Sequence, residues 1–278
     1  MVSDDGAKGD GAPRRRSTAA PVVHRIAARD NPRVQRARRL AGDAALARRE
    51  GVVWIEGDHL ARAALARAWT VEQAFVADDA FEHSRHAALL ASAREVVVLP
   101  ARLLASIAAL DSPPSLAMLL RHPDPAPAID PHAASVVLDR VQDPGNVGSI
   151  LRSASAFGFR QVVALPGTAA LWSGKVLRAG MGAPFALRLF EHADDAMLDA
   201  LRTPWLGTSS HARERLGDTP LPSPCTWVIG HEGQGMSSAL AARCARVVRI
   251  AQPGGEESLN AAVAAAICMY ESSRWRRC

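Results

Sequence analysis

From residue 135 onward, short apolar runs alternate with helical stretches, and this alternation limits the fold more than any other feature of the chain. Strand-like runs occur at Ser135–Val141, Gln161–Leu165, Phe185–Phe190, Trp205–Thr208, Trp227–Gly230 and Val247–Ile250. Helical patterns separate them at Val147–Phe157, Lys175–Arg178, Asp194–Leu201, Ser238–Cys244 and Leu259–Arg274. Strands joined through helices pair side by side in one direction, so the expected fold is α/β with a mainly parallel sheet. Such sheets bind ligands beyond the carboxyl ends of their strands, which directs attention to the loops that follow them.

Ahead of this region lies a smaller α/β pattern. Asn31 and Pro32 read as the cap and first residue of a helix that places Val34, Leu40, Ala44 and Leu46 on one face. Strand candidates follow at Val52–Ile55, Ala74–Ala77, Val96–Leu99 and Ala117–Leu120. Helical stretches fall near His59–Trp69, Ser84–Arg94 and Ala101–Ala109. The segment from His122 to Pro131 holds four prolines in ten residues and reads as a boundary. The expected organisation is a disordered tail over 1–22, a small α/β domain over 23–121, a proline-rich linker over 122–132 and the larger domain over 133–278.

Composition narrows the function classes. Residues 1–50 hold 12 Lys and Arg against 6 Asp and Glu, while the other 228 residues hold 21 against 22. The basic excess at the front suits a phosphate backbone. Its arginine character carries less meaning, because Lys8 and Lys175 are the only lysines in the chain. Aromatic residues make up 5% of the chain, too few for a surface built mainly on stacked rings. The sequence has no uncharged apolar run long enough to span a membrane and no signal-peptide core near its start, so the expectation is a cytoplasmic protein. Cys225, Cys244, Cys268 and Cys278 lack the close spacing of a zinc site and read as reduced, packed thiols.

Three loops carry candidate chemistry. The first, Asp143-Pro-Gly-Asn-Val-Gly-Ser-Ile-Leu-Arg152, follows a strand, with Asn146 as a helix cap and Arg152 six residues further on. The second, Ile229-Gly-His-Glu-Gly-Gln-Gly-Met236, holds three glycines in six residues and places Glu232 at a strand end. It lacks the spacing of a dinucleotide fingerprint, which weakens a nicotinamide oxidoreductase reading; His231 reads as a structural group. The third, Ile250-Ala-Gln-Pro-Gly-Gly-Glu-Glu-Ser-Leu-Asn260, opens a helix of small residues, with Ser258 as its expected cap. Each loop alone is also compatible with an ordinary capped helix or a glycine-rich connector.

Taken in order, the three loops resemble the signature motifs of the SpoU/TrmH branch of the SPOUT RNA 2′-O-ribose methyltransferases, over roughly residues 135–273. That resemblance implies a C-terminal trefoil-knotted domain, S-adenosylmethionine as methyl donor with no metal, and a homodimer. It assigns catalysis to Arg152, with Asn146, Glu232, Ser258 and Asn260 around it, and cofactor contacts to Gly230, Ile250 and Leu259. The front domain resembles the L30e-like RNA-binding domain carried by many members. Together with the basic front it points to RNA contacts by Arg33, Arg36, Arg38 and Arg39, and to ribosomal RNA over transfer RNA. Gly180, His231 and Ala251 depart from the family pattern, where serine, a small or amide residue, and proline are common. Two alternatives stay open: a tRNA 2′-O-methyltransferase, and a non-catalytic RNA-binding assembly protein of the same fold.

Overall fold

A computed structural model describes residues 20–108, 114–123, 128–255 and 258–274. In the front part the chain runs through β1 (Val22–Arg25), α1 (Pro32–Gly42), α2 (Ala44–Arg49), β2 (Val52–Glu56), α3 (Asp58–Leu65) and β3 (Thr70–Ala77). It continues through α4 (Asp78–Glu82), α5 (Ala87–Leu90), β4 (Ala93–Leu99), α6 (Ala101–Ala105) and β5 (Leu116–Arg121). The five strands form one sheet in the order β1-β4-β3-β5-β2, with only β5 running against its neighbours. As expected, Asn31 caps α1 with Pro32 in its first turn, and Val34, Ala37 and Leu40 are buried.

Several expectations for the front half need correction. Residues 1–19 of the expected tail lie outside the described residues, but Val22 already begins a strand. β1 is an edge strand with Val22 and Val23 more than 40% exposed, so it lacks the buried apolar signal of the others. The helix expected over Ser84–Arg94 is only α5, because β4 begins at Ala93. Asp43 divides the first helix in two by capping α2 through the Leu46 N–H.

The second sheet is built from β6 (Ser135–Leu138), β7 (Gln161–Ala164), β8 (Arg188–Phe190), β9 (Trp205–Thr208), β10 (Glu214–Arg215), β11 (Thr226–Ile229) and β12 (Arg246–Arg249). Its helices are α7 (Pro144–Ala156), α8 (Gly174–Gly180), α9 (Asp195–Asp199), α10 (Ser238–Arg243) and α11 (Ala261–Arg274). All its pairings are parallel, in the order β10-β12-β9-β11-β6-β7-β8. The strand expected over Phe185–Phe190 starts later. Pro184 and Phe185 lie in a 3-10 turn over Ala183–Ala186, whose fixed proline φ precedes the extended residues.

The two faces of this sheet are covered by different helices, and that sets where a ligand can sit. Val136, Leu138, Trp227 and Ile229 pack with residues of α7 and α11, while Val137 and Val228 pack with Leu198 of α9 and Leu240 of α10. The helix after β6 therefore lies on one face and the helix after the adjacent β11 on the other, which opens a crevice between their carboxyl ends. Gly148 lets α7 cross α8 closely, since a Cβ there would lie 2.5 Å from the Ala179 Cβ. β12 occupies a place between β9 and β10, which are joined by residues 209–213 alone.

The two sheets are fastened together. Trp69 donates its indole N–H to the Phe185 carbonyl at 3.2 Å, and its ring lies 5.3 Å from that of Trp172. His122, in the expected linker, packs edge-on to Trp172 at 5.0 Å. Arg48 pairs with Glu191, which also accepts the Leu171 N–H. Cys225 and Cys268 are buried, and neither they nor Cys244 form a disulfide.

Candidate active site

The crevice between β6 and β11 is closed by two carboxylates that reach across it in opposite directions. Asp139, directly after β6 and 2% exposed, accepts the Ser237 N–H at 2.7 Å from the second loop. Glu232, in the second loop, accepts the N–H groups of Gln142 at 3.2 Å and Asp143 at 3.1 Å from the first. Burial opposes a charge on each, yet both sit below the ordinary carboxylate range. For Asp139 the Arg140 guanidinium and the Ser237 N–H outweigh burial. For Glu232 its own backbone N–H, the Asn146 amide, and the Asp143 and Gln142 N–H groups do so.

A hydrogen-bond relay brings in the third loop. Asn260 Oδ1 accepts the N–H groups of Ala262 (2.9 Å) and Val263 (3.2 Å), so its Nδ2 faces outward and donates to Asn146 Oδ1 at 2.8 Å. That fixes the Asn146 amide the other way round, and its Nδ2 donates to Glu232 Oε1 at 3.2 Å. The polarity is consistent from end to end: a helix terminus orients Asn260, Asn260 orients Asn146, and an ionised Glu232, which can only accept, closes the chain.

Two capping expectations change. Asp143, not Asn146, caps α7, accepting the Asn146 N–H at 2.7 Å with Pro144 in the first turn. Asn146 is thereby released for the relay. The signal was legible, since an Asp directly before a Pro matches cap and first helical residue. Likewise Asn260, not Ser258, caps α11; Ser258 is exposed and lies two residues before it.

Arg152 stands outside the relay. It lies just under two turns along α7 from Asn146 and so about 120° around the helix from it. It is exposed and its side chain forms no ion pair or hydrogen bond with a described residue. Gly230 is held tightly, because a Cβ there would lie 2.2 Å from the Met236 nitrogen. His231 is structural: its Nδ1 accepts the Gly233 and Gln234 N–H groups at 2.9 and 3.2 Å. Ile250 is half-buried and Leu259 is 38% exposed at the mouth of the third loop.

Sequence reasoning missed Asp139, Arg140 and Gln234. Arg140 adopts φ 59°, pairs with Asp139 at 2.8 Å and donates to Gln234 Oε1 at 3.1 Å. No local signal marks an arginine for the left-handed region.

The arginines assigned to RNA are mostly occupied. Arg33 lies 3.5 Å from Glu95, Arg36 pairs with Glu50 at 2.8 Å, and Arg38 donates to the Ser106 hydroxyl at 3.2 Å. Arg39 is exposed and has no side-chain partner among the described residues. Among those residues no group of three or more His, Cys, Asp or Glu is placed to hold a metal ion. No described helix is long and apolar enough to cross a membrane.

Residues 133–270, which contain all three loops, match the sequence profile of the SpoU rRNA Methylase family. The chain is 30% identical over 220 residues to the 23S rRNA (guanosine(2553)-2′-O)-methyltransferase RlmP of Bacillus subtilis, spanning 78% of this chain and 86% of that protein. It belongs to the SpoU family. Solved structures agree with the fold. The crystal structure of an RNA 2′-O ribose methyltransferase superposes with a TM-score of 0.74 at 30% identity, covering 91% of this chain and 99% of that one. The SpoU methyltransferase AviRb of Streptomyces viridochromogenes, solved in complex with the cofactor AdoMet, gives a TM-score of 0.77 at 25% identity, covering 88% and 97%.

Proposed function

We propose that this chain transfers a methyl group from S-adenosylmethionine to a ribose 2′-hydroxyl of ribosomal RNA. The observation that carries this reading is the relay Glu232–Asn146–Asn260, which joins the three loops at one end of a parallel sheet, beside an Arg152 guanidinium that has no partner among the described residues. Relatives named for 23S rRNA support ribosomal over transfer RNA. A protein acting on ribosomes is read as cytoplasmic.

The residues present fit the methyl donor. The third loop offers open backbone at Gly254 and Gly255, the apolar surfaces of Ile250 and Leu259, and a buried side-chain oxygen on Gln252 that has no donor among the described residues. Gly230, Ile250 and Leu259 would hold the donor, largely through backbone groups. When bound, S-adenosylmethionine supplies an electrophilic methyl on sulfur. The bond to sulfur breaks as the bond to the ribose oxygen forms, and the hydroxyl proton leaves. Arg152 stabilises the oxygen as it becomes negative and holds a neighbouring phosphate. A guanidinium holds its proton too tightly to serve as a base, so Arg152 acts as an activator and an RNA phosphate is the proposed proton acceptor. The relay residues and Ser258 hold the substrate side of the pocket.

The reading of a trefoil knot is supported by β12, which lies between β9 and β10, two strands that precede it in the chain and are joined by a short segment. A homodimer is supported by the outer face of α11, where Val263 and Tyr270, two turns apart, are 48% and 54% exposed. The front sheet is read as the L30e-like RNA-binding domain, with Arg39 among its exposed arginines that have no side-chain partner among the described residues.

Incubating the protein with methyl-labelled donor and either ribosomal or transfer RNA tests the reading. Label is expected in ribosomal RNA, in dinucleotides that resist alkali because the 2′-oxygen is blocked. Label in bases, or in transfer RNA alone, would contradict it.

A further inference from the structure

Gln252 is an anomaly within the third loop. Among residues 251–255 it alone turns inward, while Ala251, Pro253, Gly254 and Gly255 are exposed. Its backbone carbonyl is occupied, accepting the Gly255 N–H at 3.2 Å. Its side-chain Oε1, by contrast, is buried and receives no hydrogen bond from a described residue. Buried amide oxygens are normally paired, since an unpaired one forfeits its bond to water without replacement. The chain itself shows what a glutamine serving the fold looks like. Gln161, fully buried, accepts the Asp130 N–H at 3.1 Å and donates to the Asp130 carbonyl and the Ser135 hydroxyl, both at 2.8 Å. Gln252 has the burial of its acceptor without the partner, two residues beyond Ile250 at the carboxyl end of β12.

We infer that Gln252 Oε1 accepts a hydrogen bond from an amino group of bound S-adenosylmethionine. The inference rests on the methyltransferase reading above and adds to it a side-chain contact where Gly230, Ile250 and Leu259 offer backbone and apolar surface. The donor molecule carries two suitable groups, the adenine 6-amino group and the α-ammonium. Both present the N–H that the orphaned oxygen lacks.

The test is calorimetry on the full chain with S-adenosylhomocysteine and with 5′-methylthioadenosine, which keeps the adenine amine and lacks the amino acid. Gln252→Met, similar in length and without an acceptor, should weaken S-adenosylhomocysteine binding roughly tenfold. Gln252→Glu, which keeps an acceptor, should stay within about threefold of the native protein. An equal loss for methylthioadenosine assigns the contact to the adenine amine, and a loss confined to S-adenosylhomocysteine assigns it to the ammonium. Without ligand, Gln252→Met should melt no lower than the native chain, because it removes an unpaired polar atom. Native-like binding by Gln252→Met overturns the inference, and so does a lowered melting temperature without ligand, which would mean that the glutamine serves the fold. Failure of the native chain to bind either ligand would instead defeat the underlying methyltransferase reading.

Discussion

Helix α1 at the front and the loop edge of the seven-stranded sheet use charge in opposite ways. The front holds the basic excess, yet Arg33 and Arg36 are paired with Glu95 and Glu50, and Arg38 is bonded to Ser106. Only Arg39 of that set faces solvent without a partner among the described residues. At the loop edge the carboxylates Asp139 and Glu232 take up backbone N–H groups and the relay satisfies both asparagines, while Arg152 has no side-chain partner among the described residues. The difference teaches that a count of charges does not measure how many are available to a ligand. A cation that the fold leaves unpaired beside a rigid polar frame is the better marker of function.

The largest effect that would sharpen this contrast is expected at Arg152. Arg152→Ala should lower kcat by about 10²–10³, the scale of losing one group that stabilises developing negative charge. Its stability should change by less than about 0.5 kcal/mol, because the side chain is exposed and has no partner among the described residues. Rate measurements and a denaturant titration on the same preparation check both halves.

Glu232→Gln should act on stability as well as on activity. One carboxylate holds two N–H groups of the first loop and the Asn146 amide, so the neutral variant should lose about 1 kcal/mol, the low end for charge-assisted bonds at an exposed group. The pH dependence has a definite sign. The Glu232 pKa is depressed in the folded chain, so its stabilisation is present above the ordinary carboxylate range and fades as pH falls through the depressed value. The stability gap between the native chain and Glu232→Gln should therefore shrink in acid. A gap that is constant from neutral pH to about pH 3 would break the assignment of an ionised Glu232.

Asn260→Ala removes both a helix cap and one end of the relay, and should cost about 1 kcal/mol in thermal or chemical unfolding. The smallest effects belong to the front. Arg39→Ala should reduce the slope of log affinity against log salt for RNA by about one. Arg33→Ala should leave that slope unchanged and cost at most about 1 kcal/mol in stability. Equal slopes for the two variants would erase the proposed difference between paired and free arginines.

Much of the catalytic half was legible because its strands are buried on both faces and read as short apolar runs; Trp205–Thr208 is a strand over the same residues in the structure. The three loops were legible for a related reason, since turns, caps and strand ends demand particular residue types. What the sequence concealed was which of two competent residues takes a role. Ser258 and Asn260 can both cap, and only the packing of Ala262 and Ala265 sets where α11 begins. β1 was missed because an exposed edge strand need not be apolar on a regular period. The Asp139–Arg140 pair and the inward turn of Gln252 depend on backbone angles and long-range neighbours, which no local pattern encodes.

The proposed methyl-transferring centre brings the three loops together, with Arg152 as a cation that has no side-chain partner among the described residues. Mapping ribose methylation across cellular RNA, with and without this protein, tests it most directly. A methylated site in ribosomal RNA should vanish on deletion, return with the native chain and fail to return with Arg152→Ala. Full restoration by Arg152→Ala, or no site lost on deletion, would contradict it.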